Sequence, residues 1–233
     1  MINGLYRVKY RAWIASFFVL SLIAQHSTAQ DSLMTRISGN ERKISVRNFI
    51  VPASLIGIGA VSSNERFVNS NAKIKEWRDE HFGGFHTKVD NYLQFAPIAA
   101  GYGILLAKPQ HRFWPYTKKV ILNEVLMMAL VFPTKKLVGK PRPDSGAPTS
   151  FPSGHTAQAF SGATLFCDEF AGHNFWLKVT VYSGASAVGV LRVLNNRHWA
   201  GDVIAGAGFG ILSAKLSEWI VEPRGRRSSK YPR

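Results

Sequence analysis

Apolar residues fall along this chain in blocks, each bounded by charge, proline or glycine, and nowhere do they alternate with polar residues over a strand's length. The blocks are residues 49–63, 91–107, 120–134, 156–171, 175–191 and 203–220. Uninterrupted apolar stretches of this length without a period of two predict helices rather than strands. The expected fold is therefore all-α, a bundle of about six helices. Between the first two blocks, residues 65–90 mix acids and bases around Gly83-Gly84, which predicts a short helix followed by a loop over one face. If consecutive helices run antiparallel, the loop before Thr156 and the loop after Leu191 share one end of the bundle. The same parity puts residues 64–90 over that end, as a lid or specificity element. Gly206, Gly208 and Gly210 lie in the last block, where small residues allow helices to approach closely.

Composition narrows this picture. A chain of 233 residues is expected to hold one domain. Its formal charge of +15 and pI near 10.2 call for an acidic partner such as anionic lipid or phosphate esters. No basic motif interleaved with aromatics accompanies the charge, so nucleic acid is the least favoured partner. The single cysteine, Cys167, cannot form an intrachain disulfide and sits in an apolar run, as a buried structural thiol would.

The first residues resemble an export signal. Arg7, Lys9 and Arg11 precede the apolar run 12–24, and Ser27-Thr28-Ala29 offers a cleavage site. The expected organisation is a signal peptide over 1–29, a helical domain over 30–220 and a basic tail over 221–233; an uncleaved anchor is the alternative for the first segment. Measured between charges, the later apolar runs fall short of the roughly twenty residues that a straight span requires. Mean hydropathy is only −0.03. Basic residues at the end opposite residues 64–90 nevertheless follow the positive-inside tendency. A cleaved signal followed by six spans would instead put the site inside, against that tendency; a peripherally embedded bundle, or one with an early segment that does not span, reconciles these cues. Either arrangement places the protein at the cell membrane or in the periplasm, with its chemistry on the exported side.

That chemistry concentrates between Lys135 and Asp202. Lys135 is followed by Arg142-Pro143, then by Pro152-Ser153-Gly154-His155, then by Arg192, His198 and Asp202. Three cations suit phosphate oxygens, with the Arg forks binding bidentately and Lys as a point charge. Ser153 is placed to cap the helix predicted from Thr156, and Gly154 leaves a backbone N–H open to an anion. His198 and Asp202 are four residues apart, so on a helix beginning near Trp199 the carboxylate could orient the imidazole. Taken singly, each feature has a structural reading: a satisfied histidine, a solvated basic loop, a turn. As a set at fixed spacing they predict an active site assembled from loops.

At these residues the chain resembles the superfamily of type 2 phosphatidic acid phosphatases, bacterial class A acid phosphatases and vanadium haloperoxidases. The family pattern K-x6-RP, PSGH and SR-x5-H-x3-D is met from Lys135, Pro152 and Arg192, with Leu191 where the family usually has Ser. That departure bears on a supporting hydrogen bond and leaves the chemistry intact. The resemblance, which runs from about residue 91 to 220, implies that His198 is the nucleophile, Asp202 its orienting partner and His155 the acid for the leaving oxygen. It implies that Lys135, Arg142, Ser153, Gly154 and Arg192 hold the phosphate, with no metal or other cofactor. The leading expectation is a membrane phosphatase acting on lipid phosphates or pyrophosphates, such as phosphatidate or isoprenyl pyrophosphate. A soluble exported acid phosphatase of broad specificity, a vanadate-dependent haloperoxidase and a non-catalytic phosphate binder are the alternatives. Oligomeric state is not legible.

Overall fold

The computed structural model of the protein describes residues 46–63, 70–108 and 113–221. The proposed signal peptide and the tail beyond Val221 lie outside the described residues. Eight α-helices and no strands appear among them: α1 (Arg47–Ser62), α2 (Ser70–Phe82), α3 (Val89–Leu93), α4 (Ala96–Ala107), α5 (Phe113–Val138), α6 (Gly154–Phe166), α7 (Phe175–Leu194) and α8 (Ala200–Val221). The six apolar blocks account for α1, α4, α5, α6, α7 and α8. The charged stretch supplied α2, and α3 separates from α4 because Pro97 enters at the start of the second helix, where a missing N–H does no harm.

Helix ends correct one part of the sequence reading. Apolar runs counted between charges underestimate the helices, since α5 carries Lys118 and Lys119 early and Lys135 in its last turn, while α7 runs through Arg192 and α8 takes in Asp202. At 20 and 22 residues, α7 and α8 are long and apolar enough to cross a membrane. The functional motifs therefore sit largely on terminal helical turns rather than in loops.

Helix α8 lies at the centre, packed against α1, α5, α6 and α7. Its approach to α1 is tight. A Cβ on Gly59 would stand 2.5 Å from the backbone nitrogen of Ala205, and one on Gly201 would stand 2.6 Å from Ser63 Oγ. Nearly all of α6 from Thr156 onward is buried, and Cys167 at its end is buried too. Polar side chains stitch the interior: Asn123 of α5 donates to Ser161 of α6 at 3.1 Å and accepts from Ser213 of α8 at 2.8 Å. Such bonds hold helices together where the surroundings are apolar.

The outer surface is apolar in stripes. On α5, Ile121, Val125, Met128 and Phe132 are all about half exposed, spaced four, three and four apart. Beyond that stripe at one end of the bundle stand Phe113, Trp114, Phe175, Trp176 and Trp219; at the other stand Phe82, Tyr92 and Phe95. Trp114 and Phe132 are about 27 Å apart along the helix at 1.5 Å per residue.

Candidate active site

Helices α1, α4, α5, α6, α7 and α8 alternate in direction, so the C-termini of α1, α5 and α7 and the N-termini of α6 and α8 meet at one end. Each chain reversal there has a local cause. Helix α5 stops where Gly139 adopts φ +57°, its N–H returning to Lys135 O at 3.0 Å, with Pro141 just beyond. Helix α7 stops at Asn196, φ +58°, a residue type that tolerates the left-handed region. The two turns are then tied together. Trp199 donates its indole N–H to Pro141 O at 2.9 Å, Lys140 lies over the same ring, and Arg197 pairs with Asp144 at 2.9 Å.

The Pro-Ser-Gly-His segment is fixed from both sides. Lys135 Nζ donates to Pro152 O at 2.6 Å and Thr149 O at 2.8 Å, while Ser153 N donates to Asp202 O at 2.9 Å. Gly206 of α8 makes room, since a Cβ there would stand 2.5 Å from Ser153 O. Ser153 is the residue before α6, as expected, but its side chain accepts from Thr156 Oγ1 at 2.9 Å and caps no backbone N–H.

His198 is 3 % exposed and Asp202 wholly buried. The imidazole Nδ1 is 3.8 Å from Asp202 Oδ2, too far for a hydrogen bond, and has no partner among the described residues. His198 is not on the helix, because α8 begins at Ala200. Asp202 is the third residue of that helix and reaches back to Trp199 N at 3.0 Å, one half of a capping box. It also accepts from Ser150 Oγ, from Lys140 Nζ at 2.8 Å and from Ser63 Oγ at 3.3 Å. The carboxylate expected simply to orient His198 thus also anchors four other groups.

Arg192 NH1 donates to the buried Asp90 at 2.6 Å, leaving its Nε without a partner among the described residues. Arg142 Nε donates to Thr149 Oγ1 at 3.1 Å. His155 Nε2 donates to Asn91 Oδ1 at 2.9 Å. Burial pulls the His198 ring down to about 4, opposed by Asp202 and helped by Lys135 and Arg192. Burial and then Arg192 bring His155 to about 4. Lys135 falls to about 8 through burial and the repulsion of Arg142. Both imidazoles are therefore neutral at pH 7, which suits a nucleophile that must present a lone pair.

All eight residues singled out by the sequence belong to this end of the bundle. Lys140, Ser150, Asp90 and Asn91 also belong there. Lys140 sits in the spacer between Lys135 and Arg142, Asp90 ends the charged stretch read as a short helix and a loop, and Asn91 opens the apolar block that follows. The expected cover is present as well: Arg78 of α2 donates to Leu194 O at 2.8 Å, and Thr87 N to Asn195 Oδ1 at 2.9 Å.

Residues 117–226, which include all three motifs, match the PAP2 superfamily. That segment, just under half of the chain, carries the PAP2 signature. Over 161 residues it is 42 % identical to the lipid A 1-phosphatase of Porphyromonas gingivalis, an alignment that covers 65 % of this chain and 35 % of that protein. The chain thus spans about a third of the length of this curated relative. The PAP2-type phosphatidylglycerolphosphate phosphatase of Bacillus subtilis, a transmembrane protein, superposes with a TM-score of 0.53 at 18 % identity, covering 72 % of this chain and 94 % of the other. Aquifex aeolicus LpxE aligns at 28 % identity and a TM-score of 0.45 over 61 % and 92 % of the two chains. The arrangement of helices around these motifs is the PAP2 helical fold.

Proposed function

We propose that this protein is a metal-independent membrane phosphatase that removes phosphate from a lipid through a phosphohistidine intermediate. The observation that carries the reading is a buried imidazole 3.8 Å from a wholly buried carboxylate, at the helix ends that also bear Lys135, Arg142 and Arg192. Because Nδ1 faces Asp202, Nε2 is the attacking nitrogen. It bonds to phosphorus as the ester P–O bond breaks, and His155 supplies a proton to the departing oxygen. The ring becomes cationic, which draws Nδ1–H toward Asp202. Water, relieved of a proton by His155, then attacks phosphorus and releases phosphate and free His198. The three cations and the first N–H groups of α6 balance the charge that develops on the phosphoryl oxygens.

Membrane residence is supported by the apolar stripes, by the aromatic rings at both ends and by the lengths of α7 and α8. Lys108, Lys118 and Lys119 lie at the opposite end from the site, which favours a site on the exported side. The relative from P. gingivalis favours a phosphorylated glycolipid, lipid A carrying its 1-phosphate, within the lipid-phosphate class.

The test is phosphate release by purified protein in detergent from lipid A, phosphatidate, an isoprenyl pyrophosphate and an aryl phosphate, with EDTA and orthovanadate as additions. Turnover should be fastest on a lipid phosphate, survive EDTA, fall with vanadate and vanish in His198→Ala. Near-normal turnover in that variant, or rescue of a chelated enzyme by a divalent ion, would overturn the mechanism. A preference for the aryl ester would favour an exported acid phosphatase.

A further inference from the structure

We propose that Asn91 is a positioning residue for His155, and that α3 marks the side from which the leaving group departs; this rests on the phosphatase reading above. Helix α3 is only five residues long, yet its place is fixed. Asp90 is fully buried and accepts from Arg192 NH1 at 2.6 Å and from Asn195 Nδ2 at 3.1 Å. Just before it, Thr87 exchanges two hydrogen bonds with the Asn195 side chain, at 2.9 and 3.0 Å. Swinging α3 away would break a buried ion pair, so the next residue, Asn91, is held at the rim of the site. There its amide oxygen receives His155 Nε2–H.

That bond has a chemical consequence. A neutral imidazole has one N–H, and an acceptor on Nε2 fixes the tautomer with the lone pair on Nδ1. When His155 takes up a proton it acquires N–H on both nitrogens. Asn91 retains one, and Nδ1–H is the bond that breaks as the leaving oxygen gains its proton. The charged and titratable groups facing this ring are Arg192 of α7, Asp90 of α3, His198 and Arg142. Burial first, and then Arg192, His198 and Arg142, disfavour imidazolium; a phosphate dianion bound beside the two arginines would offset their share, and the neutral amide of Asn91 aims the ring without adding charge.

The decisive measurement is leaving-group dependence. An alkyl or lipid alkoxide requires protonation, whereas an aryl oxide departs largely without it. Asn91 is exposed, so its replacement leaves the core intact. Asn91→Ala should lower kcat on a lipid phosphate by about 10- to 100-fold and on p-nitrophenyl phosphate by less than about threefold, a loss at or below the low end of a full general-acid contribution of about 10²- to 10⁴-fold, as suits a residue that only aims the acid. Asn91→Asp keeps the acceptor and adds a charge that favours imidazolium. It should restore most of the lipid turnover and move the alkaline limb of kcat upward. Equal slowing of both esters by Asn91→Ala, or none, with an active wild type, overturns this proposal alone. A wild type inactive on both esters overturns the phosphatase reading with it.

Discussion

Replacing Asp202 by Asn separates the two roles that the structure gives this carboxylate. Ser150 Oγ–H and Trp199 N–H both point at Oδ2. The amide oxygen must therefore occupy that corner, which turns Nδ2 toward Lys140 Nζ and Ser63 Oγ, where Oδ1 now accepts at 2.8 and 3.3 Å. An ammonium with a side chain only 14 % exposed then faces a donor instead of a carboxylate. Removing one partner of a buried pair costs about 3–5 kcal/mol, and at about 2–4 °C per kcal/mol for a chain of this size the melting temperature should drop by about 10 °C. Turnover should fall by orders of magnitude, because the amide oxygen keeps its place beside His198 Nδ1 but no longer carries the charge that stabilises the imidazolium. The single variant cannot apportion that loss between fold and chemistry; the double variant Asp202→Asn with Lys140→Met can. Removing the stranded ammonium should return most of the thermal stability, read by intrinsic fluorescence in detergent, and almost none of the phosphate release. Recovery of activity in step with stability would refute a catalytic role for Asp202.

The site's titration supplies a second test. Since His198 and His155 stay neutral down to about pH 4, the folded chain binds fewer protons than the unfolded chain between pH 4 and the ordinary histidine value near 6.5. Stability should therefore be full above about 6.5 and decline as pH falls toward 4. On the alkaline side Lys135, lowered to about 8, loses its charge, so kcat/KM should fall above pH 8, and Lys135→Arg should move that limb beyond pH 10; an unmoved limb excludes Lys135 as the titrating cation. Attachment is the third test. Attraction to anionic lipid is screened when the Debye length shrinks to about 3 Å in 1 M salt, so a chain held by apolar burial should remain with membranes in 1 M salt and require detergent, whereas release by salt would exclude spanning helices.

Much of this site was legible because its chemistry is local in sequence. Lys135, Arg142, Ser153, Gly154, His155, Arg192, His198 and Asp202 lie in three short segments, and an up-and-down helix order suffices to bring the segments together. The partners that were missed are fixed by long-range contacts. Asp90 and Arg192 are separated by 102 residues, Lys140 and Asp202 by 62, and neither pairing leaves a periodicity or composition that a linear reading can detect. The same limit explains the helix lengths. A charge interrupts an apolar run whether it lies in a loop or points along a helix into a polar site, so Arg192 and Asp202 read as boundaries although they occupy terminal turns. The helix expected to begin near Trp199 begins at Ala200, one residue after a turn in which Asn196 takes the left-handed region, so His198 stands just ahead of it.

Gathering three cations with little carboxylate between them should destabilise a fold, yet here helix geometry offsets the cost. Lys135 and Arg192 occupy the last turns of α5 and α7, where the partial negative charge of unsatisfied carbonyls favours a cation. Asp202 occupies the first turn of α8, where the sign is reversed and a carboxylate is favoured. Lys135 makes the local interaction explicit by donating to two loop carbonyls, and Arg192 by pairing with Asp90. Lys135, Arg192 and Asp202 are therefore each stabilised from behind by the helix that carries them, while the N-terminus of α6 presents its N–H groups on the same side. Arg142 feels the carboxylates of Asp144 and Asp202 but also the like charges of Arg192 and Arg197, and the dianionic phosphoryl group of the proposed substrate would balance the cations. Binding and catalysis then draw on one arrangement, since the groups that attract the phosphate in the ground state are those already placed for the greater charge of the transition state.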